Sequence, residues 1–411
     1  MKIAIAIENF DPDGGGAERS TLQIARELTR RGHAVHLIAG YAPRALSPSS
    51  AGDRGPAAEP VIHALSHRHS SRVTRLFRFA RFAHHHLSTG GYDITLSVTS
   101  VVPAMFMQPR GGTVRETLER NIAMRSAPMA RLKKRVSLWF SPKHQALLAL
   151  ERRALRSPLV RRFLALSDYV ARQLTQGYAI DPTRITVIPN ASAAPTFSAE
   201  ERLVIRTQIR RAFAIPDNAY VLVFAALNPR LKGLDTLYRA LAMLKKETLD
   251  IRLLAAGDID YPWQERAADL GVRDRVIIIN RTARMAELYL AADVTVLPTH
   301  YDPSSKVVIE SLMLAVPAIT TACNGAGDFI HSERCGRVIA DPSDVPALAA
   351  AIRDLSDPTV RAACAAAARD ANLADRLSMT RHVDELERVF AGDAASNANA
   401  VARIHAQSPS V

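Results

Sequence analysis

Ten short apolar runs, separated by stretches with helical spacing, constrain this chain more than any other feature. Lys2 to Glu8 (KIAIAIE) leads through a glycine turn into AERSTLQIARELTRRG, and HAVHLIAG follows. A strand that is apolar on both faces needs cover on both sides, so this reads as a β-loop-α-β unit of a buried parallel sheet. Residues 93–98, 163–166 and 185–188 repeat the pattern, and YVLVFAAL, IRLLAAG, RVIIIN, DVTVLP and PAITT make a second series. The predicted class is α/β, with two Rossmann-like doubly wound domains facing across a cleft; 411 residues exceed what one core holds. Residues 190–199, rich in Ala, Ser and Pro, are the natural linker, giving an N-terminal domain over 1–190 and a C-terminal domain over 191–376. After Asp341 the pattern is helical, and 392–411, polar and low in large apolar residues, reads as a disordered tail. Open α/β sheets bind ligands at the carboxyl ends of their strands, so a small-molecule site is expected between the domains.

Composition removes several classes of protein. With 48% hydrophobic and 23% charged residues the chain has the balance of a water-soluble globular protein, and charges interrupt every apolar run short of the roughly 20 residues a spanning helix needs. The first residues, one Lys and a short apolar run followed by acids, read as a strand entering a loop and not as a signal peptide. Cys323, Cys335 and Cys364 form no CxxC pair, which supports neither a disulfide framework nor a thiolate zinc site and points to a reducing compartment. The histidines at 63, 67, 69, 84, 85 and 86 invite a metal reading, but adjacent histidines point different ways on a helix, so no metal is expected.

The net charge of +13 is concentrated: residues 115–162 carry +10, and Arg68, Arg72, Arg75, Arg78 and Arg81 another +5. Such a face suits an anionic partner. Nucleic acid is not expected, because helix-turn-helix, RRM and zinc patterns are missing and the charge avoids the second domain. Arg131, Lys133, Lys134 and Arg135 beside Trp139 and Phe140 fit a lipid interface, each cation adding about 1 kcal/mol near an anionic leaflet; the alternative is a solvated helix face.

Three constellations carry chemistry. Asp13-Gly14-Gly15-Gly16-Ala17-Glu18 leaves the first strand and opens a helix, where backbone amides can approach an anion; a purely steric strand-helix turn reads equally well. Asn228-Pro229-Arg230-Leu231-Lys232-Gly233 sets two cations at a helix amino end, suited to a departing diphosphate. Tyr301-Asp302-Pro303-Ser304-Ser305-Lys306-Val307-Val308-Ile309-Glu310 follows DVTVLP: Pro303 stops the strand, Ser304 or Ser305 caps a helix, and Glu310 falls in its second turn. An acid in so apolar a helix needs a polar partner if buried, such as ribose hydroxyls; otherwise it faces solvent.

GGAER near the start, RLKG, DPSSKVVIESLMLAVPAITT and then NGAGD occur in an order that resembles the family-4 retaining glycosyltransferases of the GT-B fold. Within them the chain looks most like the bacterial lipopolysaccharide-core enzymes. The resemblance implies a nucleotide-sugar donor on the C-terminal domain, a phosphorylated glycolipid or polysaccharide acceptor on the N-terminal domain, and neither cofactor nor metal. It implies catalytic roles for Lys232, Arg230, Asp302 and Glu310: Glu310 on the donor ribose, Asp302 on sugar hydroxyls, Lys232 on the diphosphate. Asp302 stands where the family has Glu, and Ala226 and Leu227 stand where its arginine is usual, with Arg230 as substitute. Donor contacts are expected from Gly15, Gly16, Gly257, Thr282, Ser304, Ser305 and Lys306, and acceptor contacts from Arg110, Gly111 and Gly112. Residues 377–391 are expected to pack back on the first domain. The implied location is cytoplasmic, attached peripherally to the inner face of the membrane through Arg131, Lys133, Lys134, Arg135 and Trp139. A GT-B relative that binds a nucleotide sugar without transferring it, or an epimerase, is the competing reading.

Overall fold

The computed structural model describes residues 1–11, 15–41, 59–65, 71–125, 127–193 and 195–406, with side chains through Asp393. Asp13 and Gly14 of the glycine turn, Arg68, His67 and His69, and residues 407–411 lie outside the described residues. Two parallel sheets organise the chain. The first contains β1 (Lys2–Ile7), β2 (Ala34–Ala39), β3 (Val61–Ala64), β4 (Ile94–Ser97), β5 (Phe106–Met107), β6 (Arg162–Ala165) and β7 (Ile185–Val187), in the order β3-β2-β1-β4-β5-β6-β7. The second contains β8 (Tyr220–Ala226), β9 (Ile251–Gly257), β10 (Val276–Ile279), β11 (Val294–Val296), β12 (Ala318–Thr321) and β13 (Gly336–Ile339), in the order β10-β9-β8-β11-β12-β13. β3, β5 and β13 escaped the reading of apolar runs because VIHA, FM and GRVI are short and broken by His63 and Arg337.

Side-chain alternation explains why both sheets are sandwiched. In β1, Ile3 and Ile5 pack with Ile24 and Leu28, whereas Ala4 and Ala6 face Leu76, Phe79 and Val102 on the opposite side. In β8, Leu222 and Phe224 meet Leu237, Tyr238 and Leu241, while Val221 and Val223 meet Leu288 and Tyr289. The strand order reverses between β1 and β4 and again between β8 and β11. Chain segments leaving those strands diverge to opposite faces and open a crevice at their carboxyl ends.

Segments 190–193 and 377–379 join the halves side by side: Ser192 N donates to the Leu377 carbonyl at 3.0 Å and Met379 N to the Ser192 carbonyl at 3.2 Å. The last helix, Met379–Ala406, then packs Val383, Leu386 and Phe390 against the first sheet. Arg31 fixes it through Asp384 and Glu387 at 2.7 and 2.6 Å. This helix corrects the expectation of a disordered tail, since it runs on to Ala406. Seven of the sixteen residues at 391–406 are alanine, and a helix already nucleated and anchored by packing extends through them at less cost than a new helix would need.

His382 on this helix is fully buried, with Nδ1 2.6 Å from the Pro189 carbonyl and Nε2 3.4 Å from the Gln108 amide. Nδ1 therefore donates and Nε2 accepts, which is the neutral ring. Burial, reinforced by the Arg110 guanidinium, pushes its pKa down to about 3. The unfolded chain takes up this proton near the ordinary histidine value and the folded chain does not, so the stability is complete above that value and is lost as pH falls towards 3. His382 alone should cost about 2 kcal/mol on going from pH 7 to pH 5. Thermal melts at the two pH values check this: His382→Gln should melt lower at pH 7 yet lose less on acidification, and equal losses would sink the assignment.

Candidate active site

The crevice is built by loops from the two switch points. Gly233 has φ +82°, and a Cβ there would stand 2.0 Å from the Pro298 carbonyl, so only glycine lets the loop after β8 lie on the loop after β11. His300 N donates to the Leu231 carbonyl at 2.8 Å and fastens the two together. Lys232 is thereby aimed at the neighbouring loop: its Nζ donates to Asp302 Oδ2 at 2.5 Å and to the Tyr301 carbonyl at 3.2 Å. Asp302 is held in turn by its bridge to Asn324, and its Oδ1 accepts from Ser304 N at 3.1 Å.

Asn324 organises the helix that carries the second acid. Its Oδ1 accepts from the amides of Ser305 and Ala326, both at 3.1 Å, while Nδ2 donates to Thr320 Oγ1 at 2.9 Å. Ser305 occupies the N-cap position of helix Lys306–Met313, but its hydroxyl does not cap. Glu310 lies in the second turn and does not face solvent alone. Its Oε1 accepts from Ser192 Oγ at 2.7 Å and its Oε2 from the Tyr289 hydroxyl at 3.2 Å. Burial and the Glu310 carboxylate hold the Tyr289 phenol well above its usual range, so Tyr289 is a permanent donor.

The first domain closes over this shelf. Lys306 Nζ donates to Gln23 Oε1 at 3.1 Å and lies 4.0 Å from Glu310 Oε1. Gly16 lies against the Lys306 stem, where a Cβ would be 3.5 Å from Cδ. Burial pushes the Lys306 ammonium down in pKa; Glu310 opposes this, while Arg110 and Arg19 add to it. Arg110 is buried as well, donating to Gln108 Oε1 at 2.8 Å and to Asn190 Oδ1, and burial pushes it down to about 10. Asn190 Nδ2 continues the link to the Ser304 carbonyl at 2.8 Å. Two buried polar atoms on this link, Arg110 Nε and Ser304 Oγ, have no protein partner. Such orphans call for an explanation, and a polar ligand is one.

Gly111 and Gly112 sit where the domains touch: the Tyr301 hydroxyl donates to the Gly111 carbonyl at 3.0 Å, and a Cβ on Gly112, at φ +69°, would overlap that hydroxyl. Together with Arg110 they line a cavity of about 380 Å³ in the first domain that also contains Glu8, Ser100, Lys143 and His144. Burial raises the Glu8 carboxyl, with Lys143 and Arg75 opposing.

The structure thus brings Lys232, Asp302, Ser304, Ser305, Lys306 and Glu310 together opposite Gly16 and Arg110. Arg230 takes another direction. Its side chain is exposed and lines a larger cavity of about 920 Å³ with Arg125 and Arg131 of the first domain. Gly257, at φ +111°, serves packing, since a Cβ would meet the Ala226 carbonyl at 2.1 Å. Beyond it Arg281 grips Asp258 at 2.5 and 2.6 Å, and Thr282 Oγ1 accepts from Arg284 N at 3.0 Å. Sequence reasoning missed the roles of Gln23, Asn190, Ser192 and Tyr289. Asn190 and Ser192 had been absorbed into the linker, and nothing local marks Gln23 or Tyr289 on their amphipathic helices.

Two family descriptions match in tandem, "Glycosyltransferase Family 4" over residues 14–191 and "Glycosyl transferases group 1" over residues 205–371. The chain belongs to the family-4 glycosyltransferases of the GT-B fold. It is 24% identical to the lipopolysaccharide glucosyltransferase WaaG of Escherichia coli K12 over 83% of this chain and 86% of the relative. The solved WaaG structure superposes with a TM-score of 0.74 at 22% identity, covering 95% of this chain and all of WaaG. A D-inositol 3-phosphate glycosyltransferase of Thermomonospora curvata is 30% identical over 56% of this chain, and the match spans 57% of that relative's length. Anabaena HepE, solved with UDP-glucose, superposes with a TM-score of 0.65 at 16% identity, over 95% of this chain and all of HepE.

The domain contact can be tested at Gly325. A Cβ there would stand 2.0 Å from the Pro303 carbonyl and 2.1 Å from Ser167 Oγ, where the serine hydroxyl donates to that carbonyl across the cleft at 2.7 Å. Gly325→Ala should destabilise the closed arrangement by about 1–3 kcal/mol and enlarge the radius of gyration in X-ray scattering. An unchanged scattering profile would show that this contact does not hold the domains.

Proposed function

We propose that the protein is a retaining hexosyltransferase that takes a hexose from a nucleotide sugar and delivers it to a lipopolysaccharide, glycolipid or cell-surface polysaccharide acceptor. One observation carries this reading: buried Arg110 and largely buried Lys306 act on each other across the cleft, which also holds Lys232–Asp302 and the unpartnered Arg110 Nε and Ser304 Oγ. Buried cations beside unpaired polar atoms suit a diphosphate. HepE, solved with UDP-glucose, supports a nucleoside-diphosphate hexose as donor, and WaaG, a lipopolysaccharide glucosyltransferase, supports a glycolipid acceptor.

In this reading the bond from the anomeric carbon to the diphosphate oxygen breaks, and its electron pair leaves with the diphosphate. Lys232, aimed into the cleft by Asp302, stabilises the charge that develops. The acceptor hydroxyl bonds to the anomeric carbon from the face the diphosphate leaves, which retains configuration, and its proton passes to the departing phosphate oxygen. A carboxylate accepts about four hydrogen bonds; Ser192 and Tyr289 use two of those of Glu310, leaving room for two ribose hydroxyls. The cavity of Arg110, Gly111 and Gly112 receives the acceptor. Gly15 and Gly16 offer amides and Ser304 its unpartnered hydroxyl to the phosphates, and Gly257 and Thr282 border the nucleoside.

The reading places the enzyme at the inner face of the cytoplasmic membrane. Helix Pro128–Trp139 exposes Met129, Leu132 and Val136 along with Arg131, Lys133 and Arg135, and Trp139 and Phe140 are 73% and 80% exposed. Apolar side chains flanked by cations fit a monotopic contact with anionic lipid, with Lys134 completing the basic face. Among the described residues no helix is long and apolar enough to cross a membrane.

Release of free nucleotide from UDP-, GDP-, ADP- and TDP-hexoses, with and without membrane lipid extract, tests the proposal. One donor should turn over in a lipid-dependent way, and Lys232→Ala and Glu310→Ala should each lose about 100-fold or more. Absence of turnover with every donor, with donor binding intact, would instead favour the non-transferring reading.

A further inference from the structure

Away from the cleft, a groove of about 800 Å³ lies on the first domain between helix Arg72–Thr89 and the end of helix Pro142–Leu155. Its walls are apolar, formed by Phe77, Val101, Leu150 and Leu159, of which Phe77 and Leu159 are exposed. Its rim is cationic: Arg81, Arg152, Arg153 and Arg156 line it, and no carboxylate does. Among the described residues none of these four guanidinium groups is ion-paired. Four arginines thus border, with no carboxylate among the lining residues, a slot whose apolar wall reaches the surface.

A carboxylate-free arginine rim recognises phosphate, and an apolar slot recognises a hydrocarbon chain. One molecule supplies both. We propose that this groove holds a single anionic phospholipid of the membrane surface, its phosphate on Arg153 and Arg156 and an acyl chain against Phe77, Leu150 and Leu159. The site is separate from both the donor cleft and the acceptor cavity. Helix Pro142–Leu155, about 20 Å long, starts beside Trp139 and Phe140 and ends at the groove, so one rigid rod joins the two. The inference deepens the membrane contact under the proposed function, adding to a general electrostatic surface a site for an individual lipid.

The test uses a lipid that needs no bilayer. Calorimetric titration of the full chain with monomeric dihexanoyl-phosphatidylglycerol should show saturable binding at least tenfold tighter than for dihexanoyl-phosphatidylcholine or glycerol 3-phosphate. Arg153→Ala/Arg156→Ala should weaken it at least tenfold, and Ala80→Trp, which fills the slot, should do the same. Because Ala80→Trp can perturb folding, the exposed arginine pair decides if the two disagree. Equal binding of phosphatidylcholine would remove the role of charge, equal binding of glycerol 3-phosphate would reduce the site to a phosphate contact, and an unaffected arginine variant would place the lipid elsewhere. Each of these overturns the proposal. Flotation with phosphatidylglycerol vesicles, comparing wild type with Trp139→Ala/Phe140→Ala, tests the general membrane contact separately, and that variant should still bind the soluble lipid.

Discussion

A guanidinium buried without a carboxylate holds this molecule's working geometry. Arg110 leaves the end of β5, donates to Gln108 and Asn190, and through the Asn190 amide reaches the Ser304 carbonyl of the other domain. Burying a charge with only neutral acceptors is expensive, and burial pushes its pKa down to about 10. The cost is local and the consequence is not. Asn190 opens the segment joining the domains, and His382, fixed to the adjacent Pro189 carbonyl, belongs to the helix that returns from the second domain. Linker, returning helix and the loop of Ser304 therefore meet at one polar knot, and both crossings of the chain are tied to the Ser304–Glu310 shelf. A knot of neutral hydrogen bonds around one cation is directional enough to set domain orientation, whereas apolar contacts there would tolerate sliding.

The same logic sorts the basic charge into two populations. Inside the cleft Lys306, Arg110 and Lys232 are partly or wholly buried, and each meets a polar partner that fixes its direction. Outside, the cations of residues 128–159 are mostly exposed, and the arginines of the groove meet no carboxylate among the described residues. Burial strengthens electrostatics and makes the cleft selective for shape and charge together; exposure in water leaves a weaker field, screened beyond roughly 10 Å, that suits approach to a charged surface. The large positive charge of the chain is thus not one property.

How legible this was depended on whether a residue's role was local. The two sheets could be read because buried parallel strands must be apolar on both faces, and β1, β8 and β9 are long enough to show it. β5 could not, because its two residues owe their place to β4 and β6 on either side. In the site, Lys232, Asp302 and Glu310 stand in motifs whose spacing mirrors a loop and a single helical turn. Ser192 and Tyr289, which hold Glu310, come from 118 and 21 residues away, and no periodicity links them. Arg230 shows the opposite failure: position at a helix amino end suggested a partnership with Lys232, but the turn closed by Gly233 leaves Lys232 on Asp302 while Arg230 lines the large cavity with Arg125 and Arg131.

Asp302 explains why that turn matters. An aspartate has one methylene fewer than the glutamate usual at this place, so its carboxylate must stay near the backbone that the Asn324 bridge fixes. From there Oδ1 can satisfy the Ser304 amide and Oδ2 the Lys232 ammonium at once. A longer side chain would reach farther into the cleft but would lose one of these anchors. The shorter acid therefore trades reach for rigidity: it locks Lys232 and the loop of Ser304 into one unit, with the Arg110–Asn190 link supporting it from the first domain. Such a unit carries the departure from the family pattern at 302 in a chain that has Ala226 and Leu227 in the region of the usual arginine. With Lys232 held in a single direction by Asp302 and the Tyr301 carbonyl, the loop after β8 presents one oriented cation to the cleft.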